Sequence, residues 1–337
     1  MPYKILLLGA SYGSLLASKL LYGGHHIHLV CLPEEAKLIN TEGFKVRLPI
    51  RGRAEPVLLD SQRLPGSVSA GPAEGVDVKQ FDLVGLCMQE PQYRSPGVRE
   101  LMKAIGESGL PCMSIMNMPP LPYMKRFPGL DYKSLEAAYT DARVWDAFDP
   151  NKVTLNSPDP QAIRPPGEPA NVLQVTLPTN FKCATFVDEK YNQILRQLET
   201  DVANARFDTP EGKIELPVKL KVHESLFVPL AKWAMLLAGN YRCVTADGMR
   251  NTQDAVHAAN ICFHGFSLKR LRTVHSTPWR VQAPEEVYRG GRICRHRAPL
   301  TDAVAFFRDG MCQGFARLGA VYRDRIATAV NLDVRLR

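Results

Sequence analysis

A lysine and an asparagine stand eight residues apart in the run Val228-Pro-Leu-Ala-Lys-Trp-Ala-Met-Leu-Leu-Ala-Gly-Asn240. Residues 232, 236 and 240 would share one face of a helix, and Pro229 suits its first turn. Lys232 lies among Leu230, Ala231, Trp233 and Ala234. A lysine in such surroundings is partly desolvated, the condition for a proton donor near neutral pH. The same spacing describes a lysine that snorkels from an amphipathic helix with its ammonium in water. Spacing alone leaves both readings open.

A second group lies at the N-terminus, Gly9-Ala10-Ser11-Tyr12-Gly13-Ser14. A dinucleotide site needs a tight turn after a strand, a close backbone approach to the pyrophosphate, and a helix N-terminus aimed at it. Gly9 and Gly13 can supply the turn and the approach. Ser11 and Ser14 occupy places where glycine is usual, and the loop is one residue shorter than the common G-x-G-x-x-G form. A strand-to-helix turn that binds nothing is the alternative.

The elements around this turn favour the first reading. Lys4-Ile-Leu-Leu-Leu8 is a short apolar run ending at Gly9, the pattern of a buried parallel strand. Leu15, Leu16, Leu20 and Leu21 then follow helical spacing until Gly23 and Gly24. Ile27-His-Leu-Val-Cys31 begins a second strand. Strand, glycine turn, helix and strand within about thirty residues make the opening βαβ unit of a doubly wound sheet. Further strands are expected over 44–48 (an edge strand or hairpin arm), 81–88, 112–116 and 172–179, with helices over 98–105 and 189–202. Residues 149–170, rich in Pro, Asn, Gly and Asp, predict a loop or insertion. Beyond about residue 220 the strand signals give way to helical periodicity over 225–243, 254–272 and 303–318. The expected architecture is α/β: an N-terminal Rossmann doubly wound parallel sheet over 1–220, then an all-α substrate or dimerisation domain over 221–337, with a cleft between them.

Composition narrows the function classes. The 337 residues are 45% hydrophobic and 23% charged, as in an ordinary globular protein. The net charge of +8 is spread thinly, without a basic helix or aromatic-basic repeat, so nucleic acid is not an expected partner. A small anionic substrate or a phosphate-bearing cofactor explains the charge as well. No run approaches ~18 apolar residues, so no membrane span is expected. The eight cysteines form no C-x-x-C pair and no zinc-like cluster, which predicts no metal and a reduced, cytoplasmic protein. His25, His26 and His28 read as a solvated turn, and His257 and His264 as structural helix residues.

Cofactor choice would rest on the end of the second strand, where NAD sites carry an acid and NADP sites often an arginine. That place reads Cys31-Leu-Pro-Glu-Glu35. Leu32 does neither job. Glu34 is close enough to reach a ribose, and equally suits the start of a helix, where acids are favoured.

Taken together, these motifs resemble the ketopantoate reductase family, within the 6-phosphogluconate-dehydrogenase-like NAD(P)-dependent oxidoreductases. Lys4-Ile5-Leu6, Gly9, Gly13-Ser14 and Ala17 are similar to that family's N-terminal K-I-L-x-x-G-x-G-x-x-G-S-x-x-A with one deletion. Gly24-His25-His26-Ile27 resembles its G-H-x-V, Met88-Gln-Glu-Pro-Gln92 stands where it has V-K-x-x-Q, and Asn117-Met118 matches the Asn of its N-G pair. Lys232, Leu236, Asn240 and Tyr241 lie where it has K-x-x-x-N-x-x-x-N-P.

The resemblance implies a nicotinamide-dependent reductase of a small 2-oxo acid or related carbonyl. Lys232 would be the general acid, Asn240, Asn117 and Ser276 would bind substrate, and Gly9, Ser11, Gly13, Ser14, Gln89 and Asn117 would face the cofactor. It favours NADP over NAD and allows a homodimer. Gln89 replaces the family's cofactor lysine, Leu236 replaces its first helix-face asparagine, and Gly291-Arg-Ile-Cys-Arg295 carries bases where the family has an acid. Polar contacts are lost and positive charge gained, which implies a more anionic substrate than ketopantoate. Two alternatives stand beside this: an opine-dehydrogenase-like imine reductase, suggested by the short Gly9–Gly13 loop, and a nucleotide-sensing protein without catalysis.

Overall fold

The computed structural model describes residues 2–230 except 117, 128–131, 137–138, 158–159, 211 and 227. The chain divides into two units, 1–126 with 141–224, and 127–140 with 225–337. The first unit begins β1 (Lys4–Leu8), α1 (Ala10–Tyr22), β2 (His26–Val30), α2 (Pro33–Glu42). A hairpin, β3 (Lys45–Leu48) and β4 (Val57–Asp60), precedes β5 (Ser67–Gly71), β6 (Leu83–Leu86), α3 (Val98–Ser108), β7 (Cys112–Ser114) and α4 (Leu121–Met124). In the second unit the described residues include the short α5 (Tyr132–Glu136). The first unit resumes with β8 (Val153–Leu155), β9 (Gln161–Ile163), β10 (Val172–Leu177), β11 (Phe181–Ala184), α6 (Glu189–Asn204), β12 (Arg206–Thr209), β13 (Gly212–Glu215) and β14 (Leu220–His223).

Six strands form one parallel sheet in the order β5-β2-β1-β6-β7-β8. Numbered along the chain within that sheet, the order is 3-2-1-4-5-6, the Rossmann arrangement, with its reversal between β1 and β6. Apolar runs build its centre: Ile5–Leu8 and Leu83, Val84 and Leu86 are fully buried, as a strand covered on both faces requires. A second, mixed sheet has the order β4-β3-β10-β9. The run at 44–48 is therefore a hairpin arm, and lies inside that sheet rather than at its edge.

α1 packs against β1 and β2 on one side and against β3, β9 and β10 on the other. That is why it is apolar nearly all round: Leu15, Leu16, Ala17, Leu20 and Leu21 are all buried. The expectation of a loop over 149–170 is corrected by β8, which completes the large sheet beside β7, and by β9. Pro and Asn dominate that stretch, yet Val153-Thr154-Leu155 is a run of strand formers and is wholly buried. The Thr154 hydroxyl donates to the Ala184 carbonyl at 2.6 Å, which satisfies its one buried polar group. Strand structure also continues past residue 220, because β14 pairs in parallel with β11. The helices expected over 225–243, 254–272 and 303–318 lie outside the described residues, apart from residues up to 230. Among the described residues no helix is long and apolar enough to cross a membrane.

A buried lysine sits in this core. Lys19 of α1 donates from Nζ to the Pro217 carbonyl at 2.8 Å. Burial, with the Lys219 charge adding to it, pushes the Lys19 ammonium down to about 7. Between that value and the ordinary 10.5 the unfolded chain holds the proton that the folded chain has released, so this group makes stability rise with pH through the window. Urea midpoints measured from pH 7 to pH 8.5 should therefore climb more steeply in the parent than in Lys19→Met. Equal slopes in the two proteins would contradict this account of Lys19.

Candidate cofactor crevice

The carboxyl edge of the large sheet is closed by a row of backbone hydrogen bonds just beyond the strands. Cys31 N–H donates to the Gly71 carbonyl at 3.0 Å, Gly9 to Val30 at 2.8 Å, and Cys87 to Leu8 at 2.9 Å. Ile115 donates to Leu86 at 3.0 Å and Asn156 to Ser114 at 2.7 Å. Ligands of open α/β sheets bind outside this edge, at the point where strand order reverses. Here that point lies between the ends of β1 and β6.

Gly9 alone connects β1 to α1, with φ 104° and ψ 119°. An L side chain rarely adopts this conformation. A Cβ built on Gly9 would stand 3.0 Å from Met88 Cγ and 3.1 Å from the Cys87 carbonyl carbon and oxygen. Both the backbone angle and the close approach to the end of β6 therefore require glycine. As the N-cap, Gly9 has no side chain to cap the helix, and the first turn of α1 carries no acid. The first N–H groups of a helix have no partner within it, and they carry the positive end of its dipole. An uncapped thirteen-residue helix aimed at the strand-order reversal fits a pyrophosphate.

The remaining turn residues divide by position. Ser11, half-buried, belongs to the first turn. Ser14 is buried, and its hydroxyl donates back to the Ala10 carbonyl. A Cβ on Gly13 would meet Leu29 Cδ2 at 3.4 Å and Cys87 Cβ at 3.7 Å. Gly13 thus faces the sheet, where it lets helix and strands pack closely. At the end of β6, Met88 N–H donates to the Tyr93 hydroxyl at 3.1 Å and Gln89 N–H to Gln92 Oε1 at 2.8 Å. These bonds hold the Gln89 backbone in a tight turn, with its side chain half-buried. Burial raises the Cys87 thiol well above its usual range.

At the end of β2, Leu32 is the N-cap of α2, and Glu34 and Glu35 occupy the helix's first turn. Glu34 is exposed. Glu35 is largely buried and accepts a hydrogen bond from Arg164 Nη2, brought in from the end of β9. Burial raises the Glu35 carboxyl, and Arg164 opposes that shift. The Cys31 thiol is pushed up to about 12 by burial and by Glu35, with Arg164 acting the other way. Arg164 carried no signal in the sequence, since 129 residues separate it from Glu35.

The three neighbouring histidines are spent separately. His26 Nδ1 pairs with Ser67 Oγ at 2.7 Å and His28 Nδ1 with Ser69 Oγ at 2.8 Å, across β2 and β5. His25 Nδ1 accepts from Tyr3 N–H at 3.1 Å. His26 and His28 are strand residues paired with serines of β5, and His25, just before β2, is buried, so the three do not form a solvated turn. Among the described residues no three His, Cys, Asp or Glu side chains group as a metal site would need. The structure thus brings Gly9, Ser11 and Gln89 to the crevice and turns Gly13 and Ser14 into the packing behind it. Asn117, Lys232, Asn240 and Ser276 lie outside the described residues.

Comparison with solved structures gives the same architecture. A structure from Ralstonia solanacearum MolK2, provisionally assigned as a ketopantoate reductase, superposes with a TM-score of 0.53 at 13% identity, covering 100% of this chain and 99% of that one. The fold is that of the ketopantoate reductases. A provisional 2-dehydropantoate 2-reductase from Bacillus subtilis follows at 0.46 and 12% identity, covering 98% and 99%. The 2-dehydropantoate 2-reductase of Methylococcus capsulatus stands at 0.44 and 14%, covering 98% and 97%. No protein-family model matches the chain, and no curated protein matches its sequence.

In this fold Gly9 and Gly13 separate two roles that the sequence motif merges. Gly9→Ala should weaken NADH binding by about tenfold or more, ~1.4 kcal/mol. Gly13→Ala meets only ordinary contacts and should leave binding unchanged, while the helix gains up to ~1 kcal/mol from propensity. Fluorescence titration and thermal unfolding of both variants check this. Equal loss of binding in the two would show that Gly13 also meets the ligand.

Proposed function

We propose that this chain is an NAD(P)H-dependent reductase of a small, anionic 2-oxo acid or related carbonyl, similar to ketopantoate reductases but acting on another substrate. The observation that carries the reading is the uncapped N-terminus of α1, held by Gly9 at the reversal of the Rossmann sheet. The nicotinamide supplies hydride when bound. The first turn of α1 binds and orients the pyrophosphate through backbone N–H groups. Lys232 delivers a proton from Nζ to the carbonyl oxygen and stabilises the negative charge that develops there. Asn240 orients the substrate by a hydrogen bond, and Asn117 and Ser276 complete its binding. The Lys232 and Asn240 roles rest on their eight-residue spacing and on the family resemblance. The more anionic substrate class rests on Gln89, Leu236 and the basic run Gly291–Arg295.

The test is loss of reduced-nicotinamide absorbance over a panel of 2-oxo acids, with and without added amines. Turnover on oxo acids alone supports the proposal. Turnover only with amines would favour an imine reductase, and binding without turnover a sensor. Once a substrate is found, Lys232→Ala should lower kcat by about 10²–10⁴-fold, the usual range for a general acid, with cofactor affinity little changed. Asn240→Ala should act on KM, because a neutral hydrogen bond is worth ~0.5–1.5 kcal/mol. Parental kcat in Lys232→Ala would remove the lysine from the mechanism while leaving the cofactor reading intact.

A further inference from the structure

We propose that Asn40 guards the open edge of the large sheet: its side-chain amide takes the backbone groups through which β5 would otherwise pair with the β5 of a second copy of this chain. The guard acts whatever the crevice binds.

β5 and β8 are the outer strands of that sheet. The β8 side is closed by backbone, since Asn156 bridges to Cys183 of β11 and Ser157 N–H donates to the Lys182 carbonyl at 2.9 Å. Among the described residues no strand lies outside β5. An edge strand presents a row of backbone groups that another chain can pair with, and proteins commonly blunt it with charge, proline or a bulge. Ser67-Val-Ser-Ala-Gly71 has no charged residue and no proline. Its register with β2 is unbroken.

The register decides which backbone groups face outward. Ser67 N–H donates to the His25 carbonyl at 3.3 Å, and the Gly71 carbonyl accepts from Cys31 N–H at 3.0 Å. Residues 67, 69 and 71 thus bond toward β2, and the backbone groups of Val68 and Ala70 point away from it. Asn40 meets Ala70 on that side. Its Nδ2 donates to the Ala70 carbonyl at 2.8 Å, and its Oδ1 accepts from the Ala70 N–H at 2.8 Å. A primary amide carries donor and acceptor side by side, so it bonds to Ala70 as a neighbouring strand would. Asn40 stands exposed in the last turn of α2, a helix packed against β5. Alanine would suit a helix position better; what asparagine adds is the pair of bonds to the sheet edge.

The occupant kept out is a second copy, because an uncharged strand matches itself. Laid antiparallel on this edge, another β5 would exchange hydrogen bonds between Val68 of one copy and Ala70 of the other, on both sides of a two-fold axis. The two Ser69 residues would face each other on the axis, and no like charges would oppose the contact.

Sedimentation equilibrium of the full chain compares the parent with Asn40→Ala. The average mass of the variant should lie above the parent's and rise with concentration. Ser69→Cys then maps the contact, because facing residues of a non-hydrogen-bonded antiparallel pair have Cα atoms ~4.5 Å apart, within disulfide reach. Under mild oxidation the Asn40→Ala/Ser69→Cys protein should give a disulfide-linked dimer. Ser69→Cys with Asn40 in place should not, and neither should Asn40→Ala without the new thiol. Asn40→Ala/Ser69→Lys sets like charges opposite each other and should return the mass to the parent's. An Asn40→Ala protein with parental circular dichroism and parental mass would overturn the proposal, as would association that Ser69→Cys does not trap. Loss of the folded state in Asn40→Ala would overturn it too, by making Asn40 a structural residue alone.

Discussion

The connection from β1 to α1 is one residue long, and its backbone angle admits little but glycine. Gly9 leaves the sheet, turns, and starts the helix at the next residue. Because the turn is so short, the first N–H groups of α1 are held at the edge of the sheet beside the end of β6. A longer turn would set the helix N-terminus further from the strand-order reversal. A side chain at Gly9 would collide with the carbonyl of Cys87. The crevice therefore owes its shape to a contact between backbones.

What keeps that contact in place is burial on two sides. α1 lies between the large parallel sheet and the smaller mixed one, and its leucines serve both. A helix on the open face of a sheet can shift with little cost. One packed on both faces cannot do so without opening a dense core. The second sheet does more than cover α1, because β9 also delivers Arg164 to the end of β2. Its β3–β4 hairpin and its paired β9 and β10 thus bear on the site from outside the βαβ unit.

Much of this was legible in the sequence where burial is strong. β1, α1 and β2 announce themselves through unbroken apolar runs and the glycines that end them. β5 does not: Ser67–Gly71 is a half-exposed edge strand whose serines meet the histidines of β2. β8 is three residues long in a segment rich in Pro and Asn, so only its pairing with β7 defines it. Gly13 and Ser14 look like ligand-facing turn residues, but helix geometry turns them inward. The Glu35–Arg164 pair was out of reach, because no local pattern links two residues so far apart in the chain. Nor could the motif say that α2 begins at Pro33 and sets both glutamates in its first turn.

The central claim is that the first turn of α1 receives a dinucleotide pyrophosphate. Amide chemical shifts of the full chain, followed as NADH is titrated in, test it most directly. The account predicts saturable changes that are largest at Gly9, Ala10, Ser11 and Tyr12, with a second group at Leu32, Glu34 and Glu35. Saturable binding that leaves the Gly9–Tyr12 amides unmoved, or no binding at all, would contradict it.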